Sequence, residues 1–421
     1  MKIIADLHIH SRYSRACSKA INIENLEKYA RLKGVGLLGC GDFTHPEWIK
    51  EINSKLTEGD DGVLRTSSGF PFLWQTEISL MYKQGGKGRR VHHVILAPDG
   101  ECAAQFTSEL SKIGRLDYDG RPIFGFSSVE LMDMLLSISS KFMVIPAHVW
   151  TPYFGTLGSK SGFDSIEECF LDKSKHIHAI ETGISSDPAM NWMLSALDKY
   201  SLVSFSDMHS FWPWRMGREA TVFDVDLSYD SIRRAIKTRE GLLGTVEVKP
   251  DYGKYHFDGH AKCGVVFSPE ETIKHHGICP VCGKPLTVGV LYRVEELADR
   301  PMGFRPDGAR DFSTLLPLSE IIKGVFGISQ LGSKRVWSEY YAIMKGFSSE
   351  FEVLMDAPRE KLLEVTSPKM VDAIICGRNN EIYVRPGYDG EYGVPVFDEK
   401  AGDVVENSEL KRRQKGLGDF C

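Results

Sequence analysis

KIIADLHIH, residues 2–10, is a short apolar run that ends in Asp6, His8 and His10. Successive side chains on a strand point to opposite faces, so His8 and His10 share a face and can grip one site together. LVSFSDMH at 202–209 ends the same way, with Asp207 and His209 two residues apart. Five more apolar runs lie between them: VGLLGCGD (35–42), FLWQTEIS (72–79), VHHVILAP (91–98), FMVIPAH (142–148) and IHAIETG (177–183). Near-continuous apolar runs fit strands of a parallel sheet buried on both faces. Amphipathic stretches separate them, such as INIENLEKYARLKG at 21–34, where Asn22 or Asn25 caps a helix and Gly34 ends it. Seven strand-like runs in one stretch favour an α/β barrel over an open sheet.

Parallel barrel strands bring their C-terminal ends to one face, where active sites form. The ends here carry His8 and His10, then Asp42, Glu77, His148, and Asp207 with His209. His92 and His93 are adjacent on one strand and point oppositely, so one of them enters the site, and His93 is the choice made here. His45 is either a ligand or a loop residue, and Glu181 lines the pocket. Mixed imidazole and carboxylate donors suit zinc, manganese or iron better than calcium or magnesium. Seven or eight such donors exceed what one ion needs. Two or three divalent ions are expected, with zinc, manganese and magnesium open as occupants, an arrangement suited to phosphoryl chemistry. Ions that activate water remove the need for a serine or cysteine nucleophile, and no G-x-S-x-G or phosphate-cradling GKS or GKT motif is present.

The 421 residues, 42% hydrophobic and 26% charged, can bury one large core and carry smaller modules. A net charge of −6 argues against a nonspecific nucleic-acid binder, although bound divalent ions would shift that balance. No run approaches the eighteen or so apolar residues of a membrane span. The first ten residues do not read as a signal peptide, so a cytoplasmic protein without membrane association is expected. Residues 1–250 form the barrel by this reading, 251–300 a small metal-binding module, 301–400 a mainly helical domain, and 401–421 a polar tail. His260-x-x-Cys263 and Cys279-Pro-Val-Cys282-Gly have the two-knuckle spacing of one structural zinc site, with His260 preferred over His275 or His276 as the fourth ligand. The helical part includes SKRVWSEYYAIMKGF (333–347), and glycine-rich VRPGYDGEYGVP (384–395) must turn tightly.

DLHIHSRYS, Asp42, Glu77, His93, His148 and SDMHS together resemble the polymerase-and-histidinol-phosphatase (PHP) family. That resemblance implies a distorted seven-stranded (β/α)7 barrel with a multinuclear metal site. His8, His10, Glu77, His93, His148, Asp207 and His209 fall on the family's ligand positions. Two positions depart from the pattern. Ala16 and Cys17 stand where the family has an acid or histidine, and Phe43 replaces the histidine after Asp42, which leaves Asp42 to serve as ligand. Asp207, His209 and Glu77 are the residues the resemblance implicates in catalysis. Along nearly the whole chain, including SRYSRACSKA (11–20) and SSDPAMNW (185–192), the sequence is similar to a narrower PHP group, endonuclease Q. This implies a DNA-repair endonuclease that nicks 5′ of uracil, hypoxanthine, xanthine or abasic sites. A small-molecule phosphatase of the PHP family and a noncatalytic nucleic-acid-binding protein are the rival readings.

Damaged DNA is the expected partner. The loops after His148 and His209 offer Trp150, Tyr153, Phe154, Trp212 and Trp214 for base stacking, and Arg15, Lys19, Lys160 and Arg218 for phosphates. In the tail, Gln414, Leu417 and Phe420 resemble motifs that plug into a replication sliding clamp.

Overall fold

In the computed structural model, which describes residues 1–397, the seven apolar runs all become strands. Lys2–Asp6 lies parallel to Leu37–Gly39, which lies parallel to Pro71–Leu73. The chain then runs straight into the long strand Gln75–Gln84. Ala179–Glu181 and Ser201–Val203 pair in parallel, and a parallel bridge between Met208 and Ile9 returns to the first strand. The first helix, Ile23–Lys33, is capped by Asn22, whose side chain accepts from the Asn25 amide, and ends at Gly34 with φ of 95°. That left-handed geometry is why glycine stands there.

The expectation of parallel strands fails at one place that matters. Lys87–Leu96 runs antiparallel both to Gln75–Gln84 and to Met143–Pro146. The cause is local. Gly85 and Gly86, with φ of 61° and 76°, form a two-residue turn that links Gln84 directly to its partner Lys87. Such a turn demands positive φ at both positions and joins only antiparallel neighbours.

The sheet beginning at Lys2–Asp6 also extends the other way. Ala220–Asp224 adds antiparallel to the first strand, Leu242–Glu247 follows, and Asp311–Thr314 joins in parallel. The segment beyond residue 300 therefore contributes a strand to the sheet of the first 250 residues before it turns helical. Two contacts lock the later helices to the first. Buried Lys33 donates to Glu350 at 2.6 Å, while Tyr340 and the Leu318 amide also donate to that carboxylate at 2.7 and 3.0 Å. Removing one partner of such a pair costs about 3–5 kcal/mol, because it strands a buried charge. Beside it, Trp212 meets Tyr29 of the first helix at 5.2 Å, stacks on Trp214 at 5.3 Å and tilts against Trp337 at 5.0 Å.

Between them, Asp258–His260 and Val265–Phe267 make a short hairpin over a small core of Val265, Cys279 and Leu286. The glycine-rich segment wraps onto it. Asp389 accepts from the Ala261 amide at 2.7 Å, and the Phe257 amide donates to Gly387 at 3.0 Å. A Cβ on Gly387 would lie 2.3 Å from the Gly253 carbonyl oxygen, so this approach needs glycine. Among the described residues no helix is long and apolar enough to cross a membrane. The clamp-like residues Gln414, Leu417 and Phe420 lie outside the described residues.

Candidate metal centre

His8, His10, Glu77 and Asp207 converge at the strand ends, with donor atoms all within 4.8 Å of one another. His10 Nε2 lies 3.2 Å from Glu77 and 3.1 Å from Asp207, and His8 Nε2 lies 3.5 and 3.6 Å from the same carboxylates. His8 Nε2, His10 Nε2 and Asp207 Oδ1 are buried without a hydrogen-bond partner, and Glu77 turns its Oε2 toward the two imidazoles. Buried polar atoms are nearly always paired, so three orphans gathered beside one carboxylate fit a cation held between them. Burial by itself would push the imidazoles down and the carboxyls up. Mutual attraction overrides it, holding His8 and His10 well above their ordinary range and Glu77 and Asp207 well below theirs. A divalent ion would take the place of the imidazole protons.

Two more carboxylates aim these rings from behind. Glu181 bonds His8 Nδ1 at 2.9 Å and accepts from the His148 amide at 2.6 Å. Asp42 bonds His10 Nδ1 at 2.9 Å and accepts from the Ser11 amide and the Ser11 and Ser14 hydroxyls at 2.7 to 2.8 Å. A carboxylate behind a ligating histidine fixes its tautomer and orientation. Asp42 is thus misassigned by the sequence reading as a ligand. Both its oxygens are spent, and it supports His10 instead.

Glu77 also belongs to a second group. Its Oε1 lies 2.9 Å from His92 Nδ1 and 3.3 Å from His148 Nε2. His92, not His93, faces the centre. His93 points to the other side of the strand, where its Nε2 meets the Ser128 hydroxyl at 2.8 Å and its ring packs on Phe170. His209 stands beside the first group rather than in it, its ring 5.0 Å from that of His10 and its Nδ1 on the Asp207 carbonyl at 3.0 Å. His45 caps the helix Pro46–Lys55 and stacks on Tyr13. Asp42, His148 and Asp207 all have positive φ, 41°, 29° and 44°, so backbone strain gathers at this centre.

His260, Cys263, Cys279 and Cys282 form a separate group, again with donors within 4.8 Å. Tetrahedral zinc with bonds of about 2.0–2.3 Å needs donors about 3.5 Å apart. His260 Nδ1 lies 3.3 Å from Cys282 Sγ. Burial raises the Cys279 thiol, but the Cys282 and Val281 amides aimed at its sulfur prevail and lower it. The donor set fits one zinc ion. Cys279→Ser should remove about one zinc per chain and lower the melting temperature, since such sites supply folding energy. Unchanged zinc in the purified variant would refute the assignment.

The helical segment 317–381 matches the family model of the MJ0043 C-terminal domain. Over 300 residues the chain is 32% identical to uncharacterized protein MJ0043 of Methanocaldococcus jannaschii, covering 68% of this chain but spanning only 35% of that protein. It is 28% identical to uncharacterized protein YqxK of Bacillus subtilis over 410 residues, which is 93% of this chain and 98% of that one. Among solved structures it superposes on the lesion-specific endonuclease PfuEndoQ of Pyrococcus furiosus with a TM-score of 0.84 and 30% identity, covering 97% and 99% of the two chains. The chain belongs to the endonuclease Q family. A second solved endonuclease Q, bound to a 27-mer duplex substrate with an abasic lesion at its active site, matches with a TM-score of 0.85 and 31% identity over 97% and 100%.

The loop residues expected to contact DNA divide into two sets. Trp150 is 1% exposed, its indole donating to Asn191, and Arg218 is buried against the Ser206 carbonyl. Neither can reach a nucleic acid, so both are corrected to packing residues. Trp212 and Trp214 are committed to the aromatic stack with Trp337. Phe154 lies over the His92 ring at 4.3 Å. Tyr153, Arg15, Lys19 and Lys160 are exposed. Sequence reasoning missed His92, the aiming role of Glu181, and Arg121, whose guanidinium donates to Glu77 at 3.0 Å.

Proposed function

We propose that this chain is a divalent-metal-dependent DNA endonuclease that nicks one strand on the 5′ side of uracil, hypoxanthine, xanthine or an abasic site. The observation that carries the reading is the convergence of three unpartnered donors and the Glu77 carboxylate in a chain of the endonuclease Q family. The strands around that centre correspond, on this reading, to a distorted seven-stranded PHP barrel. His8, His10, Glu77 and Asp207 would hold one ion, and His92 and His148 a second that shares Glu77; His209 is a further proposed ligand. Bound divalent ions supply Lewis acidity and water activation at a phosphoryl centre. The protein's own groups do the positioning. Glu181 and Asp42 fix the two imidazoles, and Asp207, 27% exposed, presents the carboxylate nearest to solvent.

Among the described residues, no thiol near the centre competes as nucleophile. Burial pushes the Cys17 and Cys40 thiols up to about 12, so both are protonated at neutral pH. The target nucleotide must leave the stack to be read, and mispaired or abasic positions leave most cheaply. Tyr153 is the proposed stacking residue, with Arg15, Lys19 and Lys160 on phosphates. Duplexes bearing one uracil, one hypoxanthine or one abasic site, incubated with manganese, should be nicked 5′ of the lesion to leave a 3′ hydroxyl and a 5′ phosphate. No base should be released. Equal cutting of undamaged duplex would defeat lesion specificity, and free uracil without a nick would defeat the mechanism.

A further inference from the structure

Among the described residues, Arg121 is the only lysine or arginine ion-paired with a carboxylate of the candidate metal centre. Its Nη1 donates to Glu77 Oε2 at 3.0 Å, while its side chain remains 21% exposed. We propose that Arg121 grips a nonbridging oxygen of the scissile phosphate, an inference that rests on the endonuclease reading and deepens it.

The loop holds this side chain firmly. The Gly120 amide donates to the Tyr13 carbonyl at 3.2 Å, and a Cβ on Gly120 would fall 2.2 Å from Asp42 Oδ2. Asp119 Oδ1 accepts from the Arg15 and Arg121 amides at 3.2 and 3.1 Å. On the far side the Ser79 amide donates to the Pro122 carbonyl at 3.1 Å. Arg121 is therefore clamped on both sides, with its backbone tied to the loop that follows His10 and to the strand that bears Glu77.

Glu77 balances the Arg121 charge here, but a metal ion on that carboxylate would leave the guanidinium wanting another anion. A guanidinium never deprotonates, so a fixed cation 3.0 Å from Glu77 competes with any metal ion for that oxygen. A centre built only to store metal would do better with a neutral neighbour. A phosphodiester resolves the conflict, because its nonbridging oxygens accept from the same fork in the manner of arginine–phosphate pairs. Nε and Nη2 have no protein acceptor among the described residues, which leaves them free for it. Partial burial strengthens the interaction relative to water.

The test uses metal-loaded wild type and Arg121→Ala, titrated calorimetrically with inorganic phosphate, with metal per chain counted in both. Phosphate affinity should fall about tenfold or more with metal content unchanged. Single-turnover nicking of an abasic duplex should fall about a hundredfold. Arg121→Lys should fall between the two, and added guanidinium should restore part of the alanine variant's rate without speeding the wild type. Equal phosphate affinity in the two proteins, or no phosphate binding by wild type, overturns the proposal. So does a loss that tracks metal content, because Arg121 would then merely hold Glu77. Wild type that binds phosphate through Arg121 but cuts no DNA sinks the endonuclease reading instead, and leaves the arginine as a phosphate ligand for another ester.

Discussion

Asp207→Asn should fold normally and lose strand cleavage by about a thousandfold or more, the several kcal/mol that a correctly held divalent ion contributes. Asp207 Oδ1 is one of the three orphaned donors, 3.1 Å from His10 Nε2. Asparagine keeps the shape and offers a carbonyl oxygen, but it brings no charge to share with an ion. The fold should tolerate it. The residue sits at φ of 44°, a conformation that asparagine adopts more readily than most side chains. Three readouts on one preparation suffice: melting temperature, metal per chain, and single-turnover nicking of an abasic duplex. A cooperative melt near wild type with full cleavage would remove Asp207 from the chemistry. Reversible loss of wild-type cleavage on chelation should parallel the variant.

The neighbouring histidines should separate cleanly. His92→Asn should lower cleavage by about a hundredfold or more, since even groups that only support a ligand are worth 10–100-fold. His93→Asn should leave cleavage near wild type while costing about 1–3 kcal/mol of stability from a broken buried contact. The geometry dictates the contrast. His92 Nδ1 is 2.9 Å from Glu77, whereas His93 is fully buried on the opposite face against Ser128 and Phe170. Burial, with His92 close by, pushes the His93 imidazole down to about 3, so it stays neutral and acts as a packed, hydrogen-bonded core residue. The reverse outcome, with His93→Asn inactive and His92→Asn active, would restore the reading by motif resemblance.

That histidine was nonetheless legible. The Gly85-Gly86 pair marks a two-residue hairpin, which pairs Gln84 with Lys87 and hence Glu77 with Val94 and Ser79 with His92. Residues directly opposite share a face, and so do residues two apart along a strand. Glu77 and His92 must therefore point the same way, with His93 opposed. Two successive parallel strands would fix no such register, so the parallel reading leaves the choice between His92 and His93 open. Family resemblance reinforced the wrong residue because it counts positions rather than faces.

Strand alternation, cap chemistry and knuckle spacing are local properties, and they were written plainly in the chain. They gave seven strands, the pairing of His8 with His10, a cap at Asn22 or Asn25 with the stop at Gly34, and the His260, Cys263, Cys279 and Cys282 group. Each depends on residues within a few positions of one another, or in the zinc group on two such knuckles, where covalent geometry leaves few choices. Which carboxylate enters the centre and which stands behind it is a different kind of question. Asp42 and Glu77 look alike in sequence, yet one spends both oxygens on Ser11, Ser14 and His10 while the other faces the orphaned imidazoles. Trp150 and Tyr153 lie three residues apart in one loop, but Asn191 and the core cover the first while the second is 42% exposed. Arg121 reaches Glu77 across 44 residues of chain. Such outcomes follow from how distant segments pack and what they cover, because burial and donor distance belong to the assembled surface rather than to any stretch of it.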